Sequence, residues 1–281
     1  MDVGVSLRRC RRHVPRSKGF LKPVSIGGTL GLGSYSVLCD FNGVVVDDEN
    51  HQMEAWLEAI QVLFGNVATS DQLDRAEVHV RWSFKTGQFH EFRRALWEIF
   101  GPCAPQGIVT ALDLDHALSA HRDERIKRCV EVDHTVRASD GVERLLRDFC
   151  SRGIKVGLFS ANGQDLVNWM LDKFFGAEAA RRFFPPHWRL FGKTLPEGVR
   201  SKPHSDGYRL LARMMNVLFD TCIIIEDRLE VIQRSLRDGA QGAVWVCNKK
   251  DPAALWNRVR CELGKMFERV ILVPTPEIIL P

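Results

Sequence analysis

Apolar positions along the chain follow two kinds of pattern that alternate. Short continuous apolar runs occupy residues 36–41, 155–160, 221–227 and 242–246, with a fainter one at 270–273. Runs this short, bounded by polar or glycine-containing segments, predict buried strands. Between them, apolar residues recur three and four apart, as in Val142, Leu145, Leu146 and Phe149, or Leu166, Met170, Leu171 and Phe174. Leu210, Leu211 and Met214 form a third stripe, and Leu229, Ile232 and Leu236 a fourth. Each stripe predicts an amphipathic helix with one buried face. Gly153 and Gly239 stand where two of these helices must stop before the next strand. Strands alternating with helices predict an α/β fold, a Rossmann-like three-layer core with a central parallel sheet.

Residues 49–137 break that rhythm. Met53, Trp56, Leu57, Ile60 and Phe64 make one helical stripe, and Phe89, Phe92, Leu96, Ile99 and Phe100 another, ending at Gly101-Pro102. With no strand pattern among them, these residues predict an all-helical cap domain inserted directly after the first strand. The core is then 35–48 together with 138–281, preceded by an N-terminal extension at 1–34.

Composition changes this picture only at its edges. The 281 residues are 45% hydrophobic and 26% charged, which fits a globular protein with a proper core. No apolar run approaches the ~18–20 residues of a membrane span. The net charge of +4 is concentrated in the first 22 residues, where seven Arg and Lys face only Asp2. The rest of the chain is close to neutral, and nothing in it suggests a nucleic-acid surface. The basic head is compatible with an organellar transit peptide, and equally with a disordered extension or an upstream start codon. The expected location is therefore cytoplasmic, or mitochondrial or otherwise organellar if the head is a transit peptide. Eight scattered cysteines show no CxxC or Cys/His spacing and read as buried thiols of a reducing compartment.

Chemistry gathers at the ends of the predicted strands. The first apolar run ends in Asp40, followed by Phe41, Asn42 and Gly43, then by a second apolar run closed by Asp47 and Asp48. A carboxylate at a strand's carboxyl end, before a glycine that lets the backbone turn, is a natural catalytic position in an open α/β sheet. The second strand ends in Ser160, with Ala161, Asn162 and Gly163 at a helix start. Lys202-Pro203 precedes the helix that begins near Asp206, and the third strand ends in Glu226-Asp227. Singly, each has an ordinary structural explanation. Their order along one sheet edge is what points to a site.

This ordered set resembles the haloacid dehalogenase-like (HAD) hydrolase superfamily, and within it the β-phosphoglucomutase-like phosphatases with a helical cap. The resemblance spans about residues 37–246. It is carried by DFNGVVVDDE at 40–49, by SKP at 201–203 with Asp206 and Tyr208 beyond, and by EDRLEVIQRSLRDGA at 226–240. It weakens in the cap, and the segment 176–202 is longer than is usual in the family. The resemblance implies Asp40 as a nucleophile that forms an aspartyl-phosphate. It implies Mg²⁺ held by Asp40, the backbone carbonyl of Asn42 and Asp227, with Glu226 beside them. Ser160 and the amides of Ala161 and Asn162 would bind phosphate oxygens, Lys202 would supply positive charge, and Gly43 would let the loop pass close to the ligand.

Asn42 departs from the family pattern. Its usual phosphatases carry an aspartate there, which protonates the leaving alcohol and then activates water. A carboxamide donates hydrogen bonds but gives up no proton at neutral pH. General acid–base catalysis is worth roughly 10²–10⁴ in rate, about 3–5 kcal/mol. The expectation is a slow phosphatase, or one whose proton comes from elsewhere, with acyl phosphates suffering least. Glu49, His51, His79, Arg81, Lys85 and His90 are candidate stand-ins from the cap. The stretch 81–88 reads as a substrate-reading loop, with Trp82 and Phe84 as packing residues.

The function expected is a Mg²⁺-dependent phosphohydrolase of a small phosphomonoester, with sugar phosphates among the candidates and a phosphomutase ranked below. Two alternatives stand beside it. A dehalogenase would not miss the acid at Asn42, because halide leaves without a proton. A HAD-fold protein could also bind a phosphorylated ligand without turning it over. The expected partner is a small phosphorylated metabolite, with no nucleic acid and no membrane, and the chain is expected to be a monomer or a weak homo-oligomer.

Overall fold

Six parallel strands form the sheet that the apolar runs predict. The computed structural model describes residues 24–25, 34–86, 89–247, 260, 263–273, 276 and 279–280, and for Val24, Ser25, Glu49, Lys85, Thr86, Phe89, His90 and Leu280 it describes the backbone alone. Most of the basic extension lies outside these residues, as do Cys10, Cys261, Gly87 and Gln88.

In chain order the strands are β1 (Ser36–Asp40), β2 (Val156–Ser160), β3 (Arg189–Phe191), β4 (Cys222–Glu226), β5 (Gly242–Val246) and β6 (Val270–Val273). Their order across the sheet is β3-β2-β1-β4-β5-β6. The order reverses on either side of β1, so the crevice between the carboxyl ends of β1 and β4 is the switch point where such sheets hold their ligands. Register carries the chemistry to one edge: Cys39 lies opposite Leu158 and Ile225, which leaves Asp40, Ser160 and Glu226 at neighbouring strand ends.

The strands are apolar on both faces, as a fully covered parallel sheet requires. On one face Val37, Cys39, Ile223, Ile225, Val244 and Val246 pack with Leu145, Leu146, Phe149, Met170 and Leu171. These last come from α5 (Val142–Ser151) and α6 (Gln164–Phe175). On the other face Leu38, Ile224, Ala243 and Trp245 pack with Tyr208 and Leu211 of α8 (Asp206–Met214) and Ile232 and Leu236 of α9 (Leu229–Arg237). Gly153 and Gly239 both have positive φ, 69° and 108°, at the turns out of α5 and α9.

Four helices make the inserted layer: α1 (Glu49–Phe64), α2 (Ser70–Thr86), α3 (Phe89–Phe100) and α4 (Ala111–Glu131). Their apolar stripes meet in a separate cluster, with Phe64 and Phe100 stacked at 4.2 Å. At the start of α4, Thr110 Oγ1 accepts from Asp113 N at 3.1 Å while Asp113 Oδ2 accepts from Thr110 N at 2.9 Å, a reciprocal cap. Where the chain leaves and re-enters the core, Val46–Asp47 pairs antiparallel with Arg137–Ala138. Among the described residues no helix is long and apolar enough to cross a membrane. The six described cysteines are all free thiols.

Two expectations need correction. Residues 81–86 are the last turns of α2 and form no loop, and Arg81 pairs with Glu77 one turn back at 2.6 Å. The atypical segment after residue 176 contains α7 (Ala177–Phe183) and the edge strand β3, which no apolar run announced. β3 opens with Arg189, a buried residue whose guanidinium donates to Phe184 O, Ala180 O and Asn168 Oδ1 at 2.6–3.0 Å. Those acceptors are tertiary, so a three-residue strand headed by arginine looks like a loop in sequence.

Candidate active site

The centre of the site is a lysine shared between two buried carboxylates. Lys202 arrives on the loop before α8, and its Nζ donates to Asp40 Oδ1 and, at 2.8 Å, to Glu226 Oε2. Tyr208, in the first turn of α8, donates to the same Glu226 oxygen at 2.8 Å. The ammonium also stands 5.1 Å from the ring centres of Phe159 and Tyr208, an added hold on its position. Burial alone would raise the Glu226 pKa, but the Lys202 charge together with the hydrogen bonds to this carboxyl and the Arg228 charge outweigh it and keep it ionised, at about 2. Burial and the Glu226 charge push Asp40 the other way, up to about 8, even with Lys202 in contact. Acidic charge at this edge therefore exceeds what the lysine offsets.

Asp227 completes the acidic set. Single carboxylate oxygens of Asp40, Glu226 and Asp227 all lie within 4.8 Å of one another. Trp245 Nε1 donates to the Asp227 backbone carbonyl at 2.6 Å and fixes the strand end. Gly43 has φ 73°, and a Cβ there would overlap Asp227 Oδ2. Its lack of a side chain makes room for this carboxylate.

Asn42 is held from both ends of its amide. Its Nδ2 donates to Asp48 Oδ2 at 2.6 Å, and its Oδ1 accepts from Asn162 Nδ2 at 3.0 Å and Ser160 Oγ at 3.4 Å. Because a carboxylate only accepts, Asp48 dictates which way the amide faces. Gln52, one turn along α1, donates to the same Asp48 oxygen at 2.8 Å. Asp48 is 1% exposed and its Oδ1 has no partner among the described residues. Burial raises its pKa to about 6 against the donors on Oδ2. The sequence pattern assigns no role to Asp48 or Gln52, although their i, i+4 spacing at a helix start is a usable signal.

Ser160 lies under the site and does not open onto it. It is fully buried, and its Oγ accepts from Asn162 N at 3.1 Å while facing Asn42. Ala161 and Asn162 do line the cavity. This cavity, of about 230 Å³, lies between the sheet edge and the inserted helices. Asp40, Asn42, Lys202 and Asp227 form its core side; Gln52, Trp56, Phe84, Phe92, Arg93 and Arg122 form its cap side. Lys193 Nζ bridges to Ser119 Oγ of α4 at 2.7 Å and ties core to cap beside it.

The cap residues singled out from the sequence lie elsewhere. His51 faces Glu54 at 3.8 Å, Arg81 pairs with Glu77, and neither lines the cavity, nor does His79. The side chains of Glu49, Lys85 and His90 lie outside the described residues. Phe84 lines the cavity as well as packing in the cap, whereas Trp82 is outside it and 37% exposed.

A carboxylate–lysine–carboxylate site at the switch point of a Rossmann-like sheet, roofed by inserted helices, defines the class. The family model for haloacid dehalogenase-like hydrolase matches residues 36–233, and the chain belongs to that family. Comparison with curated proteins gives no match. Among solved structures, HAD hydrolase, family IA, variant 3 from Entamoeba histolytica HM-1:IMSS is similar at TM-score 0.60 and 17% identity, covering 87% of this chain and 97% of that one. CbbY from Rhodobacter sphaeroides in complex with phosphate gives 0.56 and 16%, covering 79% and 89%. A protein described provisionally as a β-phosphoglucomutase, from Thermotoga maritima, gives 0.54 and 17%, covering 86% and 95%. At such identities the likeness is one of fold.

Proposed function

We infer that this hydrolase is a Mg²⁺-dependent phosphohydrolase acting on a small phosphomonoester through an aspartyl-phosphate at Asp40. The observation that carries the reading is Lys202 held between Asp40 and Glu226, at a switch point with Asp227 alongside, under a cap that walls one side of a small cavity. The phosphate in the CbbY structure and the sugar-phosphate chemistry in the Thermotoga protein's description lean the same way.

The donor set suits a hard cation, since all its atoms are oxygens and its acidic charge is in excess. Asp40, Asp227 and the Asn42 carbonyl would hold Mg²⁺, with Glu226 keeping Lys202 in place. When bound, Mg²⁺ supplies the positive charge that lets a carboxylate approach a phosphate and keeps Asp40 ionised. Lys202 presents its ammonium to the attacking carboxylate and to the incoming phosphoryl oxygens. Asp40 attacks phosphorus in line with the leaving oxygen, and water then releases phosphate. Asn42 orients the ligand by hydrogen bonding and transfers no proton.

In the proposed scheme the substrate is a small phosphorylated metabolite and the working unit a monomer or weak homo-oligomer, which sedimentation at assay concentration checks. Phosphate release with Mg²⁺ present tests the reaction: Asp40→Asn is expected to abolish it, and activity surviving in that variant would sink the mechanism. Asn42 also favours a second reading, ligand binding without turnover. Acetyl phosphate with Mg²⁺ separates the two by mass spectrometry, since only the enzyme gains an adduct at Asp40. A halide-releasing activity independent of metal would select the dehalogenase reading.

A further inference from the structure

We propose that the cavity is built for an aryl phosphomonoester, with the phosphate carried directly on an aromatic ring, in preference to a polyhydroxylated sugar phosphate. The proposal rests on the phosphohydrolase reading of Asp40, and two independent features of the site lead to it.

The first is the wall facing the phosphoryl end. Trp56, Phe84 and Phe92 line the cap side of the cavity. Trp56 meets Phe92 edge to face at 5.1 Å, and the Arg122 guanidinium sits 5.3 Å from the Trp56 ring centre. Held by two neighbours, the indole is a rigid platform for a flat ring. The polar groups on this side are each held by a protein partner through part of their donor set: Arg122 pairs with Asp123, Arg93 with Asp115 at 3.0 Å, and Gln52 donates to Asp48 at 2.8 Å. Sugar hydroxyls set against Trp56, Phe84 and Phe92 would exchange water for ring faces that offer them no hydrogen bond of ordinary strength. The cavity, about 230 Å³, is also smaller than the roughly 300–1,000 Å³ of sites for drug-sized ligands. It suits a single ring with its phosphoryl group.

The second is the leaving group. Asn42 is fixed with its amide nitrogen on Asp48 and its oxygen on Asn162 and Ser160, so it hands no proton to a departing oxygen. A phenol ionises near ~10, as tyrosine does, well below water, which alkanols resemble. An aryl oxygen therefore leaves without a general acid. Asp40 forms the new O–P bond as the aryl O–P bond breaks, and that electron pair departs on the phenolate, which takes a proton from solvent. A water oxygen then bonds phosphorus, the P–O bond to Asp40 breaks and restores the carboxylate, and the water's protons go to the released phosphate and to solvent.

Calorimetric titration of the full chain with Mg²⁺ tests this through unreactive probes, so its outcome does not depend on turnover. Phenylphosphonate is expected to bind at least about tenfold more tightly than methylphosphonate, the lower part of the range for stacking on an aromatic side chain. Trp56→Ala is expected to remove most of that preference, and Trp56→Phe to keep it. Equal affinity of the wild-type chain for the two phosphonates, or tighter binding of the non-hydrolysable phosphonate analogue of glucose 6-phosphate than of phenylphosphonate, overturns the proposal and leaves the phosphate site standing. If neither phosphonate nor inorganic phosphate binds, the phosphate-site reading fails and the proposal with it. The wild-type comparison decides even where Trp56→Ala does not fold.

Discussion

Exchanging Asn42 and Asp48 is the most direct way to ask what the amide at position 42 costs. In the native chain an amide nitrogen and a carboxylate oxygen meet across 2.6 Å. The double substitution Asn42→Asp/Asp48→Asn reverses that hydrogen bond and conserves net charge, with the Gln52 amide turning to accept where it now donates. The carboxyl group then stands at the position from which family phosphatases protonate the leaving oxygen, still fed by Asn162 and Ser160. A general acid there is worth roughly 10²–10⁴ in rate, about 3–5 kcal/mol. Phosphate release gives kcat/KM, which isolates the first transfer to Asp40. For an alkyl ester such as glycerol phosphate the exchange is expected to raise kcat/KM by roughly 10²–10⁴, and for phenyl phosphate by less than about tenfold. Asn42→Asp alone is a poorer variant, because it sets two carboxylates in contact that must share a proton. It also removes a hydrogen bond to a charged group, worth roughly 1.5–3 kcal/mol of stability. Alkyl kcat/KM unchanged in the double variant, while the Asp40 adduct still forms with acetyl phosphate, would refute the role assigned to position 42.

Three further outcomes follow from the same geometry. Lys202→Met leaves Asp40 and Glu226 buried without their shared cation, and urea unfolding at neutral pH is expected to show a loss of roughly 3–5 kcal/mol; an unchanged midpoint would mean the lysine is not structural. Gly43→Ala combines a left-handed φ with overlap of Asp227, and should cost more than the roughly 1–2 kcal/mol of the backbone term alone; a variant as stable as the parent contradicts the crowding. Asp48 has a folded pKa raised by burial from 3.8 to about 6, so the native state holds its proton longer than the unfolded chain and the contribution of Asp48 falls as pH rises through that window. Without metal, Asp48→Asn should match the parent near pH 4 and gain up to roughly 3 kcal/mol on it by pH 7 to 8; a gain that does not grow with pH would count against the shift.

The legible part of this protein was whatever repeats locally. Short continuous apolar runs announced five of the six strands, because a strand covered on both faces is apolar throughout, and period-3.6 stripes announced the main helices, because each records which side of its helix is buried. Asp40, Glu226 and Asp227 were legible for a related reason: a polar residue that ends a buried run must sit at the sheet edge. Lys202 was legible only from its place just before a helix, within the ordered set. Pattern could not distinguish Asp47 from Asp48, adjacent and chemically identical, of which one is exposed and the other almost wholly buried. Nor could it find β3, whose Arg189 is satisfied by carbonyls from the preceding helix and loop.

By itself, then, the sequence determined the α/β core, the helical insertion and the acidic sheet edge, since local patterning and strand termini suffice for those. Only the tertiary structure decided which groups meet there. Lys202 reaches Asp40 across 162 residues of chain, Asp48 turns the Asn42 amide, and Trp56 with Phe92 walls the cavity. Contacts between elements depend on how separate buried faces pack together, and no periodicity within a single element encodes that.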